Sequence, residues 1–160
     1  LNCENSKIII KPARTIKEIE DIKILFREYE LYLNVDLCFQ GFDEEISALP
    51  GKYLPPGGEL LTAVDAKKVL GCVGLRKLDK GVCEMKRLFV RPEARGIGLG
   101  KKLALNIIAK ARELGYFSMK LDTLDSLKKA VFLYESLGFK RIEPYYKNPL
   151  PGALYWELKL

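Results

Sequence analysis

Histidine is absent from all 160 residues, and that absence removes several chemistries at once. A Ser-His-Asp triad, a Cys-His pair and the usual zinc site all require an imidazole. Any general base must therefore be a carboxylate, a tyrosine, a lysine, a cysteine or water. Cysteine is sparse: Cys3, Cys38, Cys72 and Cys83 are scattered with no C-x-x-C pair. That is the usage of reduced thiols in a cytoplasmic protein. No apolar run approaches the roughly 20 residues of a spanning helix, and no secretory pattern opens the chain, so no membrane partner is expected. Repeats, low-complexity segments and linkers are lacking too, which predicts one domain over residues 1–160.

What is present begins with charge. Lys and Arg number 27 against 21 Asp and Glu, a net charge of +6. An excess of this sign attracts an anionic partner, either a coenzyme phosphate or a nucleic acid. The basic residues are spread along the chain without a recognition motif, so a basic nucleic-acid-binding domain is the weaker reading.

Periodicity predicts the elements. Ile8-Ile9-Ile10 forms a short strand that Pro12 ends. Thr15 and Glu18 make a capping box before a helix carrying Ile19, Ile22, Leu25, Phe26, Tyr29 and Leu33 at three- and four-residue steps. Asp43 is expected to cap a short helix through Ala48, and two Pro-Gly clusters, at 50–51 and 55–58, to bracket a mobile, exposed connection. Residues 59–64, 69–75 and 81–90 read as three consecutive antiparallel strands. A long helix over 98–114, a strand over 117–123, a helix over 127–137 and strands over 139–142 and 153–160 complete the chain.

The segment joining the third of those strands to the long helix is rich in glycine: Arg95-Gly96-Ile97-Gly98-Leu99-Gly100-Lys101. Bare backbone at a helix N-terminus favours an anion, above all a phosphate or pyrophosphate. A Walker loop needs glycine five residues before Gly100 and a hydroxyl after Lys101, but Arg95 and Lys102 stand there. A dinucleotide fingerprint needs its third glycine one residue later.

What remains, Arg95-x-x-Gly98-x-Gly100, resembles the acyl-CoA pyrophosphate loop of the GNAT superfamily of N-acyltransferases. A second segment, Ala130-x-x-Leu133-Tyr134-Glu135-Ser136-Leu137-Gly138-Phe139, is similar to that family as well. The resemblance spans essentially the whole chain. It implies an α+β (mixed α/β) fold, with a central, mostly antiparallel sheet of about seven strands between flanking helices. The fourth and fifth strands would be parallel and splayed to admit the pantetheine arm. It also implies acetyl-CoA as co-substrate, direct transfer to a small-molecule or peptide amine, and no metal; oligomeric state is left open, although a homodimer is common in the family. A non-catalytic acyl-CoA sensor would share the same fold.

The resemblance also assigns residues. Arg95 to Lys101 would hold the pyrophosphate, and the backbone of Leu88, Phe89 and Val90 would pair with pantetheine. A bulge there would aim one N–H, that of Leu88, at the thioester oxygen. Glu84 is the candidate base, with an ion pair to Lys86 as its structural alternative; Asp122, across the gap, competes with it, and water chains could carry the proton in either case. Tyr134 is the candidate acid. Many members carry Asn seven residues before that tyrosine, where this chain has Leu127. Tyr32, Phe39, Tyr145 and Tyr146 are expected to line the acceptor pocket, beside Asp122. Positive net charge weighs against polycationic acceptors, although Glu30, Glu44 and Glu45 could make the pocket locally acidic.

Overall fold

The computed structural model describes residues 7–160. Its strands are β1 (Ile8–Pro12), β2 (Glu59–Asp65), β3 (Lys68–Asp79), β4 (Val82–Val90), β5 (Ser118–Leu124), β6 (Lys140–Ile142) and β7 (Ala153–Lys159). The helices are α1 (Ile16–Leu33), α2 (Phe42–Ala48), α3 (Leu99–Glu113) and α4 (Lys128–Ser136). One seven-stranded sheet runs in the order β1-β2-β3-β4-β5-β7-β6. Cys3 lies outside the described residues; Cys38, Cys72 and Cys83 are free thiols.

Strand alternation divides the core into two layers. Leu60 on β2 and Cys72 on β3 pack with Ile22, Leu25 and Phe26 of α1. Their neighbours Leu61 and Val73 pack on the opposite face with Leu99, Leu103 and Ile107 of α3. With helices on both faces, β2 and β3 read as near-continuous apolar runs, whereas β4 buries Glu84, Lys86 and Arg87 among its apolar residues.

Local chemistry explains the ends of the elements. The Thr15 hydroxyl accepts from the Glu18 backbone N–H at 3.2 Å, and the Glu18 carboxylate accepts from that of Thr15 at 2.9 Å, so the capping box is complete. Asp43 does not cap α2. Gly41, at φ +65°, is the N-cap, and Asp43 sits inside the first turn with Glu44 and Glu45. The connection between the Pro-Gly clusters is anchored rather than loose. Tyr53 is only 2% exposed, and its hydroxyl donates to Glu45 at 3.0 Å. Its ring covers Gly74, where a Cβ would lie 2.6 Å from the ring edge.

Two irregularities prepare the site. Between β3 and β4 the register passes from Cys72↔Phe89 to Gly74↔Lys86, so Arg87 and Leu88 stand opposite Val73 alone. Arg87 takes φ +58°, as a bulged residue can. Between β4 and β5 the parallel ladder has three pairs, Val82↔Ser118, Cys83↔Met119 and Glu84↔Lys120. Beyond Glu84 the two strands diverge. On its other edge β5 pairs along its full length with β7, from Ser118↔Lys159 to Leu124↔Ala153.

Candidate active site

The divergence of β4 and β5 opens a slot of about 690 Å³ through the sheet. At one end lies the glycine turn. Gly96 and Gly98 adopt φ +82° and +78°, and a Cβ on either would meet nothing within 4 Å. The turn thus presents bare backbone to open space. The first turn of α3 has no side-chain cap, leaving its N–H groups for an anion. Arg95, Gly96, Gly98, Leu99 and Gly100 line the slot, as do Lys128 and Lys129 of α4. Ile97 and Lys101 are exposed and outside the lining. Leu127 lines it too, so an apolar side chain stands where many family members carry Asn. This donor set fits a diphosphate.

The open edge of β4 follows, with Leu88, Phe89 and Val90 all on the slot wall. The Arg95 guanidinium stacks on Tyr32, 4.3 Å from the ring centre, while its Nε donates to the Val90 carbonyl at 2.8 Å. Tyr32 therefore joins α1 to the glycine turn.

Ionisable groups crowd the middle of the slot. Tyr134 lines it and is otherwise buried, edge-on to Phe139 with ring centres 5.8 Å apart. Burial pushes its phenol well above the ordinary value, so it keeps its proton. Asp122 also lines the slot. It accepts from the Tyr146 hydroxyl and, at 3.2 Å, from Asn148 Nδ2. Lys86 Nζ stands 3.7 Å from its other oxygen.

Glu84 lies just outside. It is 1% exposed, at the last paired position of β4 with β5. Its partner is Arg76, at 2.8 Å, rather than Lys86. Its second oxygen accepts from the Tyr145 hydroxyl at 2.6 Å. Burial, and next the charges of Glu84 and Asp122 respectively, push Tyr145 and Tyr146 far upward, which keeps both as donors.

Of the residues expected to line the acceptor pocket, Tyr32 and Asp122 stand on the slot wall. Phe39, Tyr145 and Tyr146 are not on the slot wall. Phe39 packs into the α1–α2 layer. The two tyrosines form a cluster with Tyr155, at ring separations of 5.5–5.6 Å, that backs the carboxylates. Glu30, Glu44 and Glu45 are off the wall as well; Glu45 is taken up by Arg87 and Tyr53. Lys86, Arg87 and Asn148 line the slot and were not singled out from sequence. Simple alternation sends neighbours to opposite faces, and only the bulge lets Lys86 and Arg87 both reach the α1–α2 side.

Comparison with known proteins agrees with this geometry. Residues 22–139 match the Acetyltransferase (GNAT) family. An uncharacterized N-acetyltransferase of Schizosaccharomyces pombe is 46% identical over 157 residues, covering 97% of this chain and 96% of that protein. Among solved structures, a GNAT-family acetyltransferase from Staphylococcus aureus superposes with a TM-score of 0.80 at 22% identity, covering 96% of this chain and 99% of that one. The PaiA N-acetyltransferase of Thermoplasma acidophilum, in complex with coenzyme A, gives a TM-score of 0.72 at 18% identity, with coverage of 96% and 99%.

Proposed function

The chain belongs to the GNAT acetyltransferase family, and from that premise we propose how its residues divide the work of moving an acetyl group from acetyl-CoA to a primary amine. The observation that carries the reading is the slot itself. It joins an uncapped, glycine-lined helix start to an open strand edge and a protonated tyrosine. Bound acetyl-CoA supplies a thioester, an acyl donor with a stable thiolate to release.

Arg95, Gly96, Gly98, Leu99 and Gly100 hold the diphosphate through backbone N–H groups and charge, with Ile97 and Lys101 at the rim. Leu88, Phe89 and Val90 offer their backbone to the pantetheine arm, and the Leu88 N–H polarises the carbonyl. A single donor of this kind contributes about 3–4 kcal/mol to the barrier reduction. The acceptor amine must lose a proton, which for a lysine-like amine at pH 7 costs about 4–5 kcal/mol. Asp122, on the slot wall, takes that proton while Tyr146 and Asn148 orient it. Glu84, off the wall and already accepting from Tyr145, can serve the same end only through a chain of waters. As the new C–N bond forms and the C–S bond breaks, Tyr134 gives its proton to the departing sulfur and is reprotonated by the proton that the nitrogen sheds as it becomes the amide.

Free thiols at Cys38, Cys72 and Cys83 support a cytoplasmic site of action, and the spread of basic residues along the chain disfavours a nucleic-acid partner. The test is thiol release from acetyl-CoA against a broad amine panel. Tyr134→Phe should bind coenzyme normally while its rate falls; binding without turnover of any amine would favour a sensor. Asp122→Asn and Glu84→Gln then separate the two carboxylates, the former expected to cost more.

A further inference from the structure

The acceptor side of the slot carries more positive charge than an amine would choose. Asp122 is the only carboxylate on the wall among the described residues, against Lys86, Arg87, Arg95, Lys128 and Lys129. Arg95, Lys128 and Lys129 stand at the diphosphate end, by the starts of α3 and α4. Lys86 and Arg87 do not. They lie on β4, where their side chains contact Gln40, Asp122, Glu45 and the ring of Phe42.

Both cations are buried and incompletely matched. Lys86 is 6% exposed. Its ammonium has three N–H donors but only long contacts, 3.4 Å to Gln40 Oε1 and 3.7 Å to Asp122 Oδ1. Arg87 is 5% exposed. Its Nε donates to Glu45 at 2.9 Å, while Nη2 has no partner among the described residues. Buried donors without acceptors are costly, and an arriving anion relieves that cost.

Resting on the acetyltransferase reading above, we infer that the acceptor is a small amino-carboxylate, its carboxylate seated by Lys86 and Arg87 and its amine turned to Asp122. Lys86 and Asp122 form a cation and an anion side by side, the complement of a molecule with an ammonium and a carboxylate close together. Such a molecule brings no net charge into the slot. A polyamine or a basic peptide would instead bring a second cation against Lys86 and Arg87. Gln40, held between Lys86 and the Tyr146 hydroxyl, fixes the distance between the two halves of the seat.

The experiment uses the full chain and matched sets of acceptors. Free α-amino acids, β-alanine and γ-aminobutyrate are each compared with the corresponding amide and decarboxylated amine. Thiol release should favour the carboxylate in at least one set by about tenfold or more in kcat/KM. Lys86→Gln should collapse that ratio towards one with KM for acetyl-CoA unchanged, and Lys86→Arg should restore it. Equal or better turnover of the amides or plain amines overturns the inference, and so does a ratio that Lys86→Gln leaves intact. Calorimetry on the coenzyme A-loaded protein separates this from the activity itself. Carboxylated amines that bind where their amides do not, without any thiol release, uphold the seat and break the catalytic reading. Absence of binding and turnover for every carboxylated member overturns the seat.

Discussion

Tyr134 and Asp122 face each other's chemistry across the slot, one held as a donor and the other as an acceptor. Burial raises the Tyr134 phenol above its ordinary value of 10.0, so it remains protonated where a free tyrosine would begin to ionise. Removing its hydroxyl in Tyr134→Phe is expected to lower kcat by about 10²–10⁴ with little change in KM for acetyl-CoA. Because the raised value lies beyond the working range, the wild-type rate should show no loss from this group as pH rises to about 10. Steady-state pH profiles of the two proteins check both statements. Tyr134 could be read from its family-like segment. The partner of Glu84 could not, because Arg76 is eight residues away on β3 and faces Glu84 only through the β3–β4 register. The tyrosines behind the carboxylates were visible as aromatic residues in a loop, yet whether a loop residue lines a slot or backs it is decided by tertiary packing.

Helix starts tie the elements to function and to stability in different ways. At α1, the Glu18 carboxylate accepts from the Arg14 backbone, the Lys11 ammonium and the Thr15 backbone, at 2.7, 2.6 and 2.9 Å. Those bonds, that of Arg14 first, lower its pKa from 4.5 to about 2. A carboxylate depressed on folding stabilises the fold above about pH 4.5, and that contribution fades as pH falls towards 2. Glu18→Gln should therefore cost about 1 kcal/mol at pH 7, allowing for solvent screening of a surface group. The gap between mutant and wild type in denaturant titrations should close between pH 4.5 and pH 2. At α3 the start is left uncapped for a ligand. Gly98, at φ +78°, resists any side chain, so Gly98→Ala should cost about 1–2 kcal/mol through backbone strain alone. It should also weaken coenzyme A binding several-fold, since the new methyl group meets no protein atom within 4 Å but stands on the wall of the slot that the diphosphate would enter. The capping box and the glycine spacing are local patterns, and both were legible. The bulge at Arg87 has no local signal of its own: positive φ at a bulky arginine is imposed by pairing with β3 on one side and by Glu45 and Phe42 on the other.

At the scale of the molecule, the slot exists because β5 trades one neighbour for another. It leaves β4 after three pairs, and β7 compensates by pairing with all seven of its residues. The alternation of Leu154, Trp156 and Leu158 announces a final strand but does not say where in the sheet it inserts; only the burial of both Tyr155 and Trp156 marks it as internal. An opened parallel pair is a standing gap in a packed sheet, and a ligand that spans it should bind the folded state alone. Coenzyme A at about a hundred times its Kd would then add roughly 2.7 kcal/mol to stability. For a chain of this size that raises Tm by about 5–10 °C. Acetyl-pantetheine, which fills the strand edge but lacks the diphosphate, should give a much smaller shift at the same concentration. The cause is that the unpaired N–H groups at the start of α3 and the positive end of that helix have no anion to meet. Equal shifts from the two compounds, read by differential scanning fluorimetry, would mean that the glycine turn contributes nothing to holding the coenzyme.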